Sequence, residues 1–437
     1  MRDSQTSAWR TTTFGSIALR LVNGGTPPTD VPAFWNGTIP WITGADFTSS
    51  GVGEFRRFVS KVAIASTATN VIDKGELLLV TRTGVGKLAI APCDIAISQD
   101  ITGVYADRKQ VDALFLYHRM RKGVEELKKL NQGTSINGII RGDLLKYPID
   151  LPPLPQQERI AEILSTLDEA IEQTEALIAK TQAIKAGLMH DLFTRGVTAN
   201  GELRPPREEA PQLFKASPLG WIPKEWDIAS FGACLLGTPQ NGIYKPATEY
   251  MDSGTSIVRI DSFYDGLIRN VPDLKRVRLG DEERALYGLA TDDLLINRVN
   301  SLDYVGKSAI VPALTEPLVF ESNIMRCRVD RATLLPQFGI LWLCGRLASR
   351  HFQSRAKSAV AQASINQDDV RSLLVKLPNG EEQKRISERA SVIEATCSYE
   401  SKHQQGLVGL KHGLMHDLLT GRVAVPLPES EAVAADA

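Results

Sequence analysis

The sequence lacks long hydrophobic runs and is poor in cysteine, histidine and aromatic residues. No stretch of about 18 apolar residues is present, so we expect no membrane span and no membrane partner. The first residues, "MRDSQTSAWRTTTFG", lack the apolar core of a signal peptide. The five cysteines are scattered through 437 residues without a C-x-x-C pair, which argues against a structural zinc site and favours a cytoplasmic protein.

Catalytic signatures are also missing. The stretch "VGKS" at 305–308 ends like a phosphate-binding loop, but Ser301 stands where that motif requires glycine. We therefore interpret it as a strand–turn–strand element. The neighbours His190 and Asp191 do not face each other on a helix, and the same holds for His416 and Asp417. No adenine-methyltransferase tetrapeptide, cofactor-binding G-x-G loop or H-x-E…C-x-x-C pattern occurs. The sequence thus predicts a recognition or scaffold protein with no catalytic residue, metal or cofactor of its own.

The sequence does contain an internal repeat. "KAGLMHDLFTRGV" at 185–197 returns 226 residues later as "KHGLMHDLLTGRV" at 411–423, and this offset holds back to Ile160 and Ile386. Upstream, "AWRTTTFG" (8–15) aligns with "EWDIASFG" (225–232), and "LLLVTRTGVGKLAI" aligns with "LLINRVNSLDYVGKSAI". The period is too long for a solenoid. The chain is therefore two copies of one unit, each a globular part followed by a helical part.

Each helical part shows a heptad seam. Seam positions recur in steps of four and three from 160 to 192 and from 386 to 418. About 37 residues would give a helix about 55 Å long, and the exposed seam requires a partner. The other copy is the nearest candidate, so we expect an antiparallel pair. The helix-pairing and subunit-docking candidates are Ile160, Leu164, Leu167, Ile171, Leu188, Leu192, Ile386, Ile393, Leu407, Leu414 and Leu418.

Polar residues and glycines interrupt this seam. Thr174, Glu400 and Gln404 weaken the pairing but can fix its register. Three glycines in the second helix, at 406, 409 and 413, each cost about 1 kcal/mol relative to alanine. The alternative, two unrelated surface helices, does not explain why the length between the repeated phrases is constant.

The globular parts are predicted to be mixed α/β. Apolar runs such as "ELLLV", "KLAIA", "DLLIN" and "SAIVP" predict strands, whereas residues 111–130 and 335–360 predict helices. Residues 1–155 hold 18 Lys and Arg against 14 Asp and Glu, and residues 215–378 hold 20 against 18; both helical segments are acidic. Two mildly basic surfaces would suit phosphate binding, although ordinary fluctuation gives the same counts. The basic residues Arg121, Lys128, Arg350 and Lys357 align across the repeat and suit phosphate contacts or a solvated face.

Three phrases carry a resemblance to a known family. "LPPLPQQERIAEIL", "PLGWIPKEWDIASFG" and "GTSINGIIRGDLLKYPIDLPPLPQQERI", together with the duplication, resemble the specificity subunit of type I restriction–modification enzymes over residues 9–423. The second copy departs from the pattern, because "LPNGEEQKRI" has Asn379-Gly380 where the family favours proline.

The resemblance implies a recognition subunit. Its fold would be mixed α+β, with two target-recognition domains separated by two long antiparallel coiled-coil helices and related by pseudo-twofold symmetry. Each domain would read half of a bipartite site in double-stranded DNA, and the helices would set the spacer. Removing about four residues would shift a domain by about 6 Å, close to two base pairs. The implied segments are 1–150 and 218–376 (recognition domains), 151–195 and 377–423 (spacer helices), 196–217 (linker) and 424–437 (disordered tail).

The resemblance also implies partner subunits. Two modification subunits would dock on the helices and use S-adenosylmethionine to methylate adenine, and motor-nuclease subunits would cut DNA with ATP and Mg²⁺. Competing hypotheses are a specificity protein of another modification system, a coiled-coil scaffold without DNA function, and an enzyme acting alone.

Base readout in the major groove uses bidentate Arg, Lys, Asn or Gln side chains. Polar loop residues are therefore the base-reading candidates: Thr43, Arg82, Thr83, Lys87, Asn241, Tyr244, Arg259, Asn297, Arg298, Asn300 and Lys307. Arg82 and Arg298 follow equivalent strands and could instead have a structural role. The repeated "SIN" triplets at 135–137 and 364–366 could contact the DNA backbone or cap helices.

Overall fold

Two long helices carry the repeated phrases. In the computed structural model, which describes residues 9–48, 51–130, 138–359 and 362–425, they run over Leu154–Thr194 and Gly380–Leu419. All positions of the predicted seam are buried or half-buried in both helices. The first unit ends at Ile178 and resumes at Tyr399, and the second is Ala179–Ser398, so the chain passes from one unit to the other inside each helix. None of the described helices is long and apolar enough to cross a membrane.

Within each unit the halves of the two helices pair antiparallel, as predicted. In the first unit Lys411 forms an ion pair with Asp168, and the Gln404 amide donates to the Glu175 carboxylate at 3.0 Å. In the second unit Lys185 forms an ion pair with Glu394. In each of these three pairs the two residue numbers add up to 579. In an antiparallel pair a constant total indicates a constant register, so the same register applies within both units. Asp168 and Lys185 lie 226 residues before Glu394 and Lys411, so the two ion pairs are copies of each other.

The repeated phrase "GLMHDL" lies where a helix end meets a globular core. Leu192 is buried in the core of the second unit, and Leu188 and Met189 pack against it. Leu418 is buried in the core of the first unit, where Leu414 and Met415 pack. The phrase therefore occurs twice because each globular part packs against the C-terminal end of one long helix.

A buried glutamine fixes the start of each long helix on its globular part. The Gln157 amide donates to the Gln110 and Pro152 carbonyls at 3.0 and 2.8 Å and accepts the Asp112 N–H at 3.0 Å. Its copy Gln383 makes the same three bonds, to Thr333, Pro378 and Leu335, at 2.9, 2.9 and 2.8 Å. Because both side chains are buried and fully bonded, they fix the angle at which helix and domain meet.

The departure at Asn379-Gly380 has a local explanation. The Asn379 side chain accepts the Glu382 N–H at 2.9 Å and so caps the second long helix. Glu382 is itself buried, where it pairs with Arg204 and accepts the Val197 N–H at 2.8 Å. The second helix therefore starts on a capping asparagine, whereas Pro155 occupies the first turn of the first helix.

The first unit combines sheets with short helices. Its strands are Arg10–Thr13, Ala18–Asn23, Ile39–Ile42, Phe58–Val59, Asn70–Ile72, Leu77–Val80, Leu88–Ile90, Ile95–Ile97, Ile101–Ala106 and Pro148–Leu151. Its helices, apart from the long ones, are Phe14–Ile17, Pro32–Trp35, Lys61–Ser66, Ala113–Leu130 and Arg141–Lys146, with a 3₁₀ turn at Gly44–Asp46. The strand–turn–strand prediction at 305–308 is confirmed, since Leu294–Asn297 pairs antiparallel with Ser308–Ile310, as Leu77–Val80 does with Leu88–Ile90 in the first unit.

The second unit repeats this plan with additions. Its strands are Phe214–Ser217, Gly220–Pro223, Asp227–Ser230, Gln240–Asn241, Tyr250–Met251, Thr255–Val258, Phe263–Tyr264, Gly266–Ile268, Arg276–Val277, Leu294–Asn297, Val299–Asn300, Ser308–Ile310, Leu318–Phe320, Ile324–Cys327, Lys357–Ala359, Gln362–Ser364 and Leu374–Leu377. Its other helices are Asp281–Tyr287, Pro336–Leu343, Arg346–Arg355 and Gln367–Arg371, with 3₁₀ turns at Pro211–Leu213, Phe231–Cys234, Ala247–Glu249 and Val271–Asp273.

Several predicted boundaries differ from the structure. The single helix predicted over 335–360 is wrong: the helix breaks at Gly345, whose extended backbone caps a second helix, and the segment ends in a strand. The predicted linker 196–217 contains the strand Phe214–Ser217, which pairs with Gly220–Pro223 across the predicted domain boundary. Val425, predicted to lie in the tail, is buried in the core of the first unit.

The second "SIN" triplet caps a helix, which is one of the two predicted alternatives: the Asn366 side chain accepts the Asp369 N–H at 2.9 Å. The first triplet, 135–137, lies outside the described residues.

Alanine at the helix glycines should stabilise the protein. A methyl group at Gly406 or Gly409 has no atom within 4 Å, so each Gly→Ala change should raise the free energy of unfolding by about 1 kcal/mol. The matched control is Gly306→Ala: that residue has a φ of +82° and its methyl group would lie 2.3 Å from the Phe352 side chain, so this change should destabilise. Chemical denaturation measures both; a loss of stability at 406 or 409 would contradict the exposed helical face.

Acid should weaken the first unit through a buried histidine. The His118 side chain is 1% exposed, with Nε2 3.2 Å from the Ser165 hydroxyl and Nδ1 3.9 Å from Asp168. Burial, partly opposed by Asp168 and reinforced by Lys411 and Arg121, lowers its pKa to about 4. The unfolded histidine binds a proton near pH 6.5 and the folded one only near pH 4, so stability falls as the pH decreases through this window, by up to about 3 kcal/mol.

The variant His118→Gln isolates this effect, because glutamine does not titrate. Unfolding free energies measured from pH 7 to pH 4 should fall more steeply for the native chain than for the variant. Parallel curves would show that the histidine binds its proton at the same pH in the folded and unfolded states and would contradict its buried, neutral form.

Candidate nucleic-acid interface

In each unit four loops meet at one edge of the globular part. Two of them follow the ends of adjacent parallel strands, Ile39–Ile42 with Ile95–Ile97 in the first unit and Thr255–Val258 with Leu318–Phe320 in the second. We call these loops the four-loop rim. It consists of residues 23–26, 43–46, 81–87 and 98–101 in the first unit and 241–244, 259–262, 298–307 and 321–324 in the second.

Identical backbone hydrogen bonds define equivalent positions in the two rims. In the first unit the donors and acceptors are Ser98 N–H to Ile42 O (2.9 Å), Thr81 N–H to Asp100 O (2.8 Å) and Gly24 N–H to Ile101 O (3.3 Å). The matching bonds of the second unit, in the same order, are Glu321 N–H to Val258 O (3.0 Å), Arg298 N–H to Asn323 O (2.8 Å) and Gly242 N–H to Ile324 O (3.1 Å). Thr43 is therefore equivalent to Arg259. Arg298 is equivalent to Thr81, one residue before Arg82. Arg82 and Arg298 follow equivalent strands, as predicted, but occupy different positions.

The first rim contains four of the predicted residues, Thr43, Arg82, Thr83 and Lys87. Arg82 and Thr83 are exposed, and the Arg82 guanidinium has no ion-pair partner among the residues that the structure describes. Lys87 donates to two backbone carbonyls of the neighbouring loop, at 2.9 and 3.3 Å. Lys128 reaches the rim from the helix behind it, because its side chain lies against the turn at Gly86.

A buried carboxylate organises the loop that contains Thr43. Asp46 accepts hydrogen bonds from the Thr43 N–H at 2.8 Å and the Thr43 hydroxyl at 2.9 Å. It also pairs with Arg56, and with Arg57 at 2.6 Å. Burial alone would raise the pKa of Asp46, but the hydrogen bonds from Arg56 and Thr43 hold it below its usual value. The Asp46 carboxylate therefore stays charged and holds two arginines beside the rim.

Three predicted residues of the second unit, Arg259, Arg298 and Tyr244, lie around residues 321–323 of the second rim. The Arg259 guanidinium lies 3.5 Å from the Glu321 carboxylate, and Arg298 donates to the Ser322 carbonyl at 3.5 Å. The Ile243 carbonyl accepts the Ser322 N–H at 2.9 Å. The next residue, Tyr244, is 76% exposed. Asn241 is exposed and Asn300 half-exposed, so aromatic, amide and guanidinium groups share this rim.

Several predicted residues have other surroundings. Asn297 is fully buried, so its side chain does not reach the surface in this conformation. Arg121 lies 3.6 Å from Asp168, beside the ion pair of the long helices. Arg350 is exposed on its helix, and Lys357 is exposed on a strand that pairs with Gln362–Ser364. Whether these residues touch DNA stays a prediction.

The fourth loop of each rim was not predicted. Gln99 is exposed and bonded to the Thr26 hydroxyl, while Asn323 occupies the corresponding turn of the second unit. Both residues carry amides that suit base readout. Their signal in the sequence is a short polar interruption between two apolar strands, "SQD" at 98–100 and "ESN" at 321–323.

The comparisons with known proteins agree with this architecture. The profile described as "Type I restriction modification DNA specificity domain" matches residues 7–182. The type I restriction enzyme MjaVIII specificity subunit of Methanocaldococcus jannaschii is 24% identical, covering 95% of this chain and 93% of that protein. The EcoKI specificity subunit of Escherichia coli K12 is 25% identical, covering 72% and 66%.

Solved structures show the same fold. The type I restriction–modification system S subunit from M. genitalium has a TM-score of 0.61 at 15% identity, covering 96% of this chain and 98% of that one. A chain from a study of the assembly of a type I R-M system has a TM-score of 0.52 at 17% identity, covering 94% and 98%. Residues 7–182 therefore match the type I restriction modification DNA specificity domain, and over most of its length the chain is similar to type I restriction enzyme specificity subunits.

Replacing the buried Asn297 with valine should stabilise the second unit. Neither its amide nitrogen nor its amide oxygen has a hydrogen-bond partner among the described residues, and such a group costs about 1–2 kcal/mol. The first unit has Val80 at this position, as the matching bonds of Val80 N–H to Lys87 O and Asn297 N–H to Lys307 O show. Asn297→Val should therefore raise the melting temperature and Val80→Asn should lower it. A destabilised Asn297→Val would mean that the amide has a partner, such as a buried water.

Proposed function

We propose that this chain is the DNA sequence-specificity subunit of a type I restriction–modification complex, and that each rim reads one half of a bipartite site. The observation that carries this proposal is the pair of rims, which share loops and backbone hydrogen bonds but differ in side chains. Two equivalent scaffolds with different side chains are what two different half-sites require.

The chemistry of the rims suits direct readout. Guanidinium groups recognise guanine and side-chain amides recognise adenine through paired hydrogen bonds in the major groove. Arg82 and Gln99 offer such groups in the first rim, and Arg298 and Asn323 in the second. Arg56 and Arg57 share the single carboxylate of Asp46, so this group keeps a net positive charge beside the first rim, which favours contact with the phosphate backbone.

The long helices suit two further roles. A helix of 41 residues is about 60 Å long, so its length can set the unread spacer between half-sites. The helices also carry exposed apolar side chains, namely Leu177, Ile184, Val392, Tyr399 and Leu410. These side chains, beside the predicted seam, suit docking of two modification subunits, and motor-nuclease subunits would complete the complex.

The chain itself would determine which DNA sequence is recognised and would catalyse no reaction. We propose that S-adenosylmethionine, ATP and Mg²⁺ act in the partner subunits, and that the purified chain neither methylates nor cuts DNA; turnover by the chain alone would contradict this. A specificity protein of another modification system differs in the subunits that co-purify with it. A scaffold without DNA function differs in showing no salt-dependent DNA affinity when assembled.

The proposal is tested by mapping adenine methylation across the genome of the source cell, with and without this gene. We expect one split, non-palindromic motif to lose methylation when the gene is deleted. Its restoration by the gene in trans assigns the motif to this chain. If a methylated split motif is present and no motif changes on deletion, the proposal is wrong.

A paired deletion in the helices tests their role as a spacer. Removing 172–178 and 401–407 deletes one heptad from each helix at facing positions, because 172 faces 407 and 178 faces 401 in the observed register. The seam stays in phase while the pair shortens by about 10 Å. We expect the methylated motif to keep both half-sites and to shorten its spacer, by at most about three base pairs. An unchanged spacer would contradict the role of the helices; deletion of 172–178 alone, which shifts the register, is the control.

A further inference from the structure

We infer that Lys87 and Lys307 are positioning residues that fix the shape of the reading loops, although the sequence predicts both as base readers. The inference rests on the proposed function. Each lysine follows the turn after a central strand and crosses to the loop that begins with Thr43 or Arg259. It thereby connects two of the four loops of its rim.

The two lysines make the same bond in the two units. Lys87 Nζ donates to the Gly44 carbonyl at 2.9 Å, and Lys307 Nζ donates to the Ile260 carbonyl at 2.6 Å. Both carbonyls belong to the second residue after the parallel strand, since Ile42 and Val258 end equivalent strands. The carbonyl chosen is therefore the same although the neighbouring sequences, "TGAD" and "RIDS", differ.

The turn that carries the lysine also differs between the units. It places Lys87 seven positions after Val80 but Lys307 ten positions after Asn297. Both turns nevertheless close with the same backbone bond, from the N–H of the last strand residue (Val80 or Asn297) to the carbonyl of the lysine. In both, the residue before the lysine is a glycine at positive φ, Gly86 at +96° and Gly306 at +82°. A bond that persists across turns of different length indicates a geometric requirement.

The surroundings of Lys307 are those of a fixed side chain. Its ammonium lies 3.9 Å from the ring centre of Tyr264, 5.0 Å from that of Phe263 and 5.7 Å from that of Tyr304. Burial lowers its pKa, although Asp261 and Asp265 oppose that effect. Lys87 is more exposed and also donates to the Phe47 carbonyl at 3.3 Å.

The identity of the two residues supports a positioning role. Residues that distinguish two different half-sites are expected to differ between the two rims, whereas a residue that shapes the loop can be the same in both. Paired hydrogen bonds to a base tolerate displacements of only about 0.5 Å. A loop freed from its lysine would thus lose sequence discrimination while it keeps its phosphate contacts.

The test uses the full chain assembled with its modification subunits and duplexes bearing the motif found by methylation mapping, or the same motif with either half-site scrambled. Lys307→Met should reduce discrimination against a scrambled second-unit half-site by about tenfold. It should leave discrimination at the other half-site and the dependence of affinity on salt unchanged. Lys87→Met should give the mirror result, and because Lys87 is exposed it keeps the test available if Lys307→Met does not fold.

A direct phosphate contact would have a different signature. It would weaken binding to all duplexes alike and reduce the slope of log affinity against log salt by about 0.9, and Lys→Arg would restore it. For a positioning role, Lys307→Arg keeps the slope but not the discrimination, because a planar guanidinium does not replace a compact ammonium among three rings. A reduced slope with unchanged discrimination, or a loss of discrimination confined to the one base pair that a base-reading lysine would contact, overturns this inference alone. If the native complex shows no preference for its motif, the proposed function fails and the inference with it.

Discussion

Each unit is built on two antiparallel helix halves that are held in one register. In each unit an ion pair between the helices, Asp168 with Lys411 or Glu394 with Lys185, sets that register. A buried glutamine then fixes each globular part on the start of one helix, and the phrase "GLMHDL" packs the end of the other helix on the same core. Each rim therefore has a defined orientation relative to the helices of its own unit.

Duplication explains why the two units share a scaffold but not a surface. The rims agree in strand ends, backbone hydrogen bonds and the crossing lysine, which are the features that shape a loop. They differ where side chains face solvent, as with Thr26 and Tyr244 at equivalent places. Shape and specificity are thus controlled by different residues, so the outward-facing side chains can change without loss of the loop geometry.

Features set by periodicity and repetition were predictable from the sequence. The helix seam follows from steps of three and four residues, and the strand–turn–strand element from two apolar runs around "VGK". Side-chain surroundings were not predictable, because they depend on distant residues. Asn297 has the side-chain amide expected of a base-reading residue but is buried, and Arg121 lies beside Asp168 of the long helix. The helix predicted over 335–360 failed because one glycine, Gly345, adopts an extended backbone within an apolar run. The turns at 98–101 and 321–324 were missed because they are too short to stand out.

Photocross-linking between DNA bases and this chain would show which half-site each rim contacts. The assembled complex would be irradiated on its own motif with photoreactive bases placed in one half-site at a time, and the linked residues identified by mass spectrometry. If each rim reads one half-site, one half-site should link to residues 23–26, 43–46, 81–87 or 98–101 and the other to residues 241–244, 259–262, 298–307 or 321–324. Links from both half-sites to one rim, or links confined to other surfaces, would contradict the assignment of one half-site to each rim.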